Sequence, residues 1–140
     1  MNVSEVMTPN PRTVELSDTI QDAARIMREE DTGAVPVVEE GRVVGMVTDR
    51  DIVIRAIADG DFDATIDDIV TDDVVFATAE MTTAAAAELM GEHQIRRLPV
   101  VDADENIIGI VSIGDLAVKE SHDARMGETL ENISEGVKRH

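Results

Sequence analysis

The sequence predicts an α/β protein (α+β in a stricter scheme): two copies of one β-α-β-β-α unit, packed as a single compact module. Three observations predict it. The chain repeats itself, each copy carries a helix-spaced stretch followed by two Val-rich runs around a turn, and each copy ends on a hydroxyl residue with an acid three positions on. Displaced by 63 residues, Thr19 meets Thr82, Ala23 and Ala24 meet Ala86 and Ala87, Met27 meets Met90, and Pro36-Val37-Val38 meets Pro99-Val100-Val101. One extra residue in the turn from Asp102 to Asn106 shifts the offset to 64, after which Gly45 meets Gly109, Thr48 meets Ser112 and Asp51 meets Asp115. Self-similarity at a fixed period marks a repeated structural unit. A lone unit of ~60 residues buries too little surface to be stable, so the two copies must support one another.

Each copy opens on a short extended piece, Arg12–Glu15 and Val74–Ala77. A helix follows, with Ile20, Ala23, Ala24 and Met27 spaced to share one face, matched in the second copy by Thr83, Ala86, Ala87 and Met90. Two strands come next: Ala34–Val38 and Arg42–Thr48 around the turn Glu39–Gly41, then Leu98–Val101 and Ile107–Ser112 around an Asp-rich turn. Their Val and Ile content suits strands buried on both faces. A second helix starts near Asp49 and near Ile113. The expected division is 1–60 for the first repeat, an acidic solvated linker over 61–68, 69–120 for the second repeat, and an amphipathic tail over 121–140 with Met126, Leu130, Ile133 and Val137 as its stripe. Asp59, Asp61 and Asp63 alternate as in a calcium loop. Ala64 and Val70 stand where such a loop needs Gly and Glu, so no metal is assigned.

Composition narrows the function. The chain of 140 residues has 30 acidic and 12 basic residues, a formal charge of -18. That field opposes nucleic acid, whose binding needs cationic patches, and anionic membrane surfaces. With 43% hydrophobic residues but only two aromatics, Phe62 and Phe76, the core is aliphatic and platforms for stacking bases are lacking. The absence of cysteine removes disulfides, thiolate metal sites and cysteine nucleophiles. No run approaches a membrane span and Met1 to Pro11 does not read as a signal peptide, so a cytoplasmic protein is expected.

The chemistry-bearing residues lie at the ends of the copies, Gly45-Met-Val-Thr48-Asp-Arg-Asp51 and Gly109-Ile-Val-Ser112-Ile-Gly-Asp115. Taken singly, each reads as a capping box, in which side chains satisfy the open N–H groups of a helix start. The same geometry suits a nucleotide: a helix start favours phosphate, the hydroxyl adds a donor, and a carboxylate accepts from both hydroxyls of a ribose. Recurrence at equivalent points of both copies favours the second reading.

These ends, together with VMTPNPRTVELSDTIQDAARIM, VVGMVTDRDIVIRAIADG and HQIRRLPVVDADENIIGIVSIGDLA, resemble the CBS (cystathionine β-synthase) domain, over residues 6–118. A tandem pair is often called a Bateman module, and the chain is similar to small stand-alone CBS-pair proteins. The resemblance implies that the repeats are related by a pseudo-twofold axis, with an adenine nucleotide held in a cleft between them. By that resemblance one site takes Thr48 and Asp51 for ribose and phosphate, Arg96 and Arg97 as phosphate binders, Arg50 in reach of the phosphates, and Ala34, Val35 and Pro36, with Val14, beside the base. The other takes Ser112 and Asp115 facing Thr32, Gly33 and Ala34, and having no such cations is expected to bind weakly or stay empty. Surface ion pairs with the many acids are the structural alternative for Arg96 and Arg97.

No Walker loop, Gly-x-Gly-x-x-Gly or His-Glu-x-x-His occurs, and no catalytic residue is assigned. His93, His122 and His140 are the histidines. The expected function is a non-catalytic regulatory module that binds AMP, ADP or ATP, with NAD and S-adenosylmethionine as lesser candidates and no obligatory cofactor. A ligand-free interaction or oligomerisation scaffold is the alternative. The resemblance also implies a homodimer built through helix faces, for which Ile52, Ala56 and Ala117 form a stripe equally suited to an internal seam, and an unidentified regulated protein as partner.

Overall fold

A computed structural model describes residues 1–70 and 74–119 of the chain. The mixed α/β chain builds the two expected β-α-β-β-α repeats. In the first, β2 (Val14–Glu15) leads to α1 (Ile20–Glu30), β3 (Ala34–Glu39), β4 (Arg42–Thr48) and α2 (Asp49–Arg55). In the second, β5 (Ala77–Thr78) leads to α4 (Thr83–His93), β6 (Arg97–Val101), β7 (Ile107–Ser112) and α5 (Ile113–Lys119). Strand β1 (Thr8–Pro9) precedes the first repeat, and the single turn α3 (Ile66–Ile69) precedes the second.

The residues form two compact units that do not follow chain order. Of the described residues, one unit holds those within Pro11–Val74 and Asp104–Ile107, and the other holds Met1–Asn10, Val75–Ala103 and those from Ile108 to Lys119. Backbone hydrogen bonds explain the grouping. Near the chain start, Val3 N–H donates to Met81 O at 2.8 Å, Ser4 N–H to Ala79 O at 3.2 Å, and Thr83 N–H to Met1 O at 3.0 Å. The matching bonds in the other unit run from Ile66 N–H to Asp18 O at 2.8 Å, from Asp67 N–H to Leu16 O at 3.0 Å, and from Ile20 N–H to Ala64 O at 3.0 Å. Each repeat is therefore completed by the segment that precedes the other one. Val3 and Ile66 fill the same role and are fully buried, since an aliphatic side chain gains ~1.5–3 kcal/mol on full burial. The stretch expected to run solvated over 61–68 thus carries Ala64 and Ile66 into a core.

In the unit built on the first repeat, the sheet order is β2-β3-β4. Strands β3 and β4 are antiparallel and β2 is parallel to β3, pairing Val14 with Val37 and Glu15 with Val38. The turn between β3 and β4 has Glu40 at φ 53° and Gly41 at φ 83°, the positive pair that a tight two-residue hairpin requires. The core joins Val14, Ile20, Ala23, Ile26, Met27, Val35, Val37, Val47, Ile52, Ala56, Ile66 and Ile69. In the other unit the order is β1-β7-β6-β5, and Val3, Ala77, Ala86, Ala87, Met90, Leu98, Val100, Val111 and Leu116 make the core.

Two expectations are corrected and one open reading is decided. Ala24 is exposed and Ile26 is buried in its stead: the helix turns so that the larger aliphatic side chain leaves water, which outweighs one methyl group. Strands β3 and β6 are buried along nearly their whole length, but β4 and β7 alternate, because β4 is an edge strand and β7 has only the two-residue β1 on its outer side. Ile52 and Ala56 belong to the core, so that stripe is an internal seam. The tail stripe at Met126, Leu130, Ile133 and Val137 lies outside the described residues, as does the side chain of Ala117.

Candidate functional site

In both repeats the second helix starts directly off a strand. Thr48 has the extended backbone of an N-cap (φ -114°, ψ 161°). Its Oγ1 accepts from Asp51 N–H at 3.1 Å, and Asp51 Oδ2 accepts from Thr48 N–H at 3.0 Å. Ser112 and Asp115 exchange the same two bonds, both at 3.1 Å. The capping-box reading is therefore correct at each junction. It is also incomplete, because a hydroxyl that accepts one bond keeps its hydrogen to donate, and a carboxylate engaged through Oδ2 keeps Oδ1. The box alone marks nothing: Thr19 and Asp22 exchange the same pair of bonds, at 3.0 and 3.2 Å, and Thr65 N–H donates to Asp68 Oδ2 at 3.2 Å.

What sets Thr48 and Ser112 apart is the strand alongside. Asp49 N–H donates to Gly33 O at 2.9 Å, and Ile113 N–H donates to Arg96 O at 2.8 Å. The first of these bonds flanks the pair Ala34 and Thr48, which makes it a non-hydrogen-bonded pair whose peptide groups turn away from each other's strand. Pro36, two residues on, is in the same phase, so its missing N–H costs the β3–β4 ladder nothing. The Ala34 N–H and C=O face the edge that β2 reaches only at Val37. There Thr32 Oγ1 lies 3.4 Å from Ala34 N and 3.3 Å from Ala34 O, long bonds that a better partner can replace. By the repeat offset, Arg97 takes Ala34's place opposite Ser112.

The other expected residues divide by exposure. Val14 and Val35 are each 1% exposed and lie in the core, so the Ala34–Pro36 segment offers a ligand its backbone. Arg96 and Arg97 are exposed, and among the described residues neither lies within ion-pair distance of a carboxylate. Arg50 is exposed on the first turn of α2, its N–H donating to Asp49 Oδ1 at 2.8 Å. Two further side chains stand beside the first junction. The Asp49 carboxylate lies against Gly33, where an added Cβ would stand 3.0 Å from Oδ2. Arg55 Nε is 3.9 Å from Asp51 Oδ1, and its Nη1 donates to Ile69 O at 3.2 Å. The sequence already sets Arg55 near this junction, four residues after Asp51 on one helix; Asp49 against Gly33 left no sequence signal.

The resolved pKa shifts are away from the junctions. A hydrogen bond from Arg12, and then its charge, hold Glu29 below the usual carboxylate range, and the same bond raises Arg12. Asp22 is lowered by the backbone N–H of Thr19, then by its hydroxyl, with Arg25 adding to the effect.

A model of the CBS domain matches residues 3–57 and again 66–121. The chain belongs to the CBS domain family. It is 42% identical over 134 residues to the CBS domain-containing protein YhcV of Bacillus subtilis (strain 168), spanning 95% of each chain. Among solved structures it is similar to CBSX2 in complex with AMP, at 28% identity and TM-score 0.74 over 86% of this chain and 96% of that one. It is similar also to the CBS domain pair of protein MJ0100 in complex with 5′-methylthioadenosine and S-adenosyl-L-methionine, at 28% identity and TM-score 0.79 over 87% and 97%. Those two CBS pairs thus bind adenosine-containing ligands. Among the described residues no helix is long and apolar enough to cross a membrane.

Proposed function

We propose that this CBS pair is a regulatory, non-catalytic module that binds an adenine nucleotide, with AMP, ADP and ATP as the first candidates and NAD and S-adenosylmethionine behind them. The observation that carries the reading is the half-used hydroxyl–carboxylate pair at a strand-to-helix junction, Thr48 with Asp51, beside a peptide group at Ala34 held only by long bonds. Asp51 Oδ1 accepts from the ribose hydroxyls and Thr48 donates to the phosphate. The N–H and C=O of Ala34 meet one edge of adenine, which sets an amino donor next to a ring-nitrogen acceptor. Arg50, exposed on the first turn of α2, serves the phosphates. Ser112 and Asp115 form the second, weaker junction. AMP in one structural relative and two adenosine derivatives in another support the ligand class. A regulatory output requires the ligand to bind two states unequally.

The test is a thermal-shift and calorimetric panel of AMP, ADP, ATP and S-adenosylmethionine. A ligand at a hundred times its Kd stabilises the wild type by ~2.7 kcal/mol. Asp51→Ala abolishes that gain and Asp115→Ala leaves most of it, while Arg50→Ala weakens AMP more than adenosine. If none of the four shifts the wild type, the nucleotide reading is wrong.

The scaffold reading has an observation of its own. Val53, Ile54 and Ile57 on and just after α2 are 55%, 49% and 39% exposed, so the apolar face that a homodimer would cover is this one. The two readings are compatible if the dimer is the state on which the ligand acts.

A further inference from the structure

We propose that Arg55 is the positioning residue of Asp51: held by the Ile69 carbonyl at the end of α3, it fixes the carboxylate that accepts the ribose. The inference rests on the nucleotide reading above and adds to it a residue that touches no ligand.

The geometry is a relay of three groups. Ile69 O accepts from Arg55 Nη1 at 3.2 Å, and Arg55 Nε stands 3.9 Å from Asp51 Oδ1. Asp51 Oδ2 is already committed to Thr48 N–H at 3.0 Å. Both carboxylate oxygens are thereby oriented, one by the helix cap and one by the guanidinium. The carbonyl that anchors Arg55 closes a helix end, where a cation is favoured, and Ile69 itself is 2% exposed. A guanidinium suits the task because its donors are rigid and several, so one can hold the anchor while another faces the acid. Asp51 is 23% exposed at its side chain and Arg55 47%, which leaves the carboxylate accessible to a ligand and makes the pair a weak contributor to fold stability. The sequence repeats the arrangement: Lys119 follows Asp115 by the same four residues.

The experiment measures AMP affinity by calorimetry at 25 °C for the wild type, Arg55→Met, Arg55→Lys, Asp51→Asn and the double variant Asp51→Asn/Arg55→Met, with ADP, ATP or S-adenosylmethionine substituted if that ligand is the one the wild type binds. Arg55→Met is expected to weaken binding by a factor of about three, the scale of a part-exposed charge pair. Arg55→Lys, which keeps the charge but cannot hold the Ile69 carbonyl and face the carboxylate with separate nitrogens, should fall between the wild type and Arg55→Met. Asp51→Asn keeps an acceptor oxygen and so a weaker, measurable affinity, and in that background Arg55→Met should change nothing, because a neutral amide gives the guanidinium no charge to orient. An equal loss in both backgrounds, or Arg55→Met binding as tightly as the wild type, overturns the positioning role while leaving the nucleotide site standing. A wild type that binds none of the four ligands overturns both.

Discussion

Gly109 has no room for a side chain. A Cβ there would stand 2.4 Å from Met7 Sδ and 3.1 Å from the Thr8 carbonyl oxygen. The methionine end can swing away, but the carbonyl belongs to β1, whose residues pair with Ile110 and Gly109. Gly33 differs, because the atom nearest an added Cβ is a carboxylate oxygen of Asp49 at 3.0 Å, a side-chain end held by one exposed hydrogen bond from Arg50 N–H and able to give way. Gly109→Ala is therefore expected to cost about 1–3 kcal/mol of stability, the range for overpacking a tight contact, with Gly33→Ala costing less; urea unfolding of the two variants compares them. At the same scale, the spacing of Thr-x-x-Asp is enough to mark a helix start. It is not enough to mark a binding residue, because the chain uses the same local geometry at Thr19 and Asp22, where no Pro-Val strand lies alongside.

Elements here are short and rely on segments far away in the chain. Strand β5 has two residues and α3 four, too few to persist alone. They persist because β5 packs into a core to which Val3 of the first copy's leading segment contributes, and α3 puts Ile66 and Ile69 into the core of the first repeat. Val3 is the clearest instance: it is completely buried, and its N–H is bonded to Met81 O. Val3→Ala should cost about 2 kcal/mol and should speed amide exchange first at Thr83 and along the start of α4, whose N–H group at Thr83 is bonded to Met1 O at 3.0 Å. Exchange mass spectrometry reads this directly. Spacing identifies the buried helix face well in the second copy, where Thr83, Ala86, Ala87 and Met90 are all buried. In the first copy the spacing of small residues points to Ala24, and the actual face is set by where Ile26 can find a neighbour.

For the whole molecule the governing facts are a charge of -18 and an apolar patch on α2. Two like-charged chains repel, and salt screens that repulsion, so a homodimer through Val53, Ile54 and Ile57 should tighten as salt rises from ~0.05 to ~0.5 M. Ile54→Asp should shift the protein from dimer to monomer in sedimentation or light scattering, with little effect on the Tm of the monomer, since Ile54 is 49% exposed. A dimer that persists in Ile54→Asp, or one that weakens with added salt, counts against this face.

By itself the amino-acid order determined the repeat, the element sequence within each copy, the two junction motifs and the family. All of these are local or self-similar patterns, which a side-chain period or an internal offset records directly. Only the tertiary structure decided that Met1–Asn10 serves the second repeat and Ala64–Ile69 the first, that Ile52 and Ala56 face inward, and that Arg55 ties Asp51 to the end of α3. Those outcomes depend on which distant surfaces compete to leave water and on which backbone groups find partners, and neither quantity is carried by the spacing of residues along the chain.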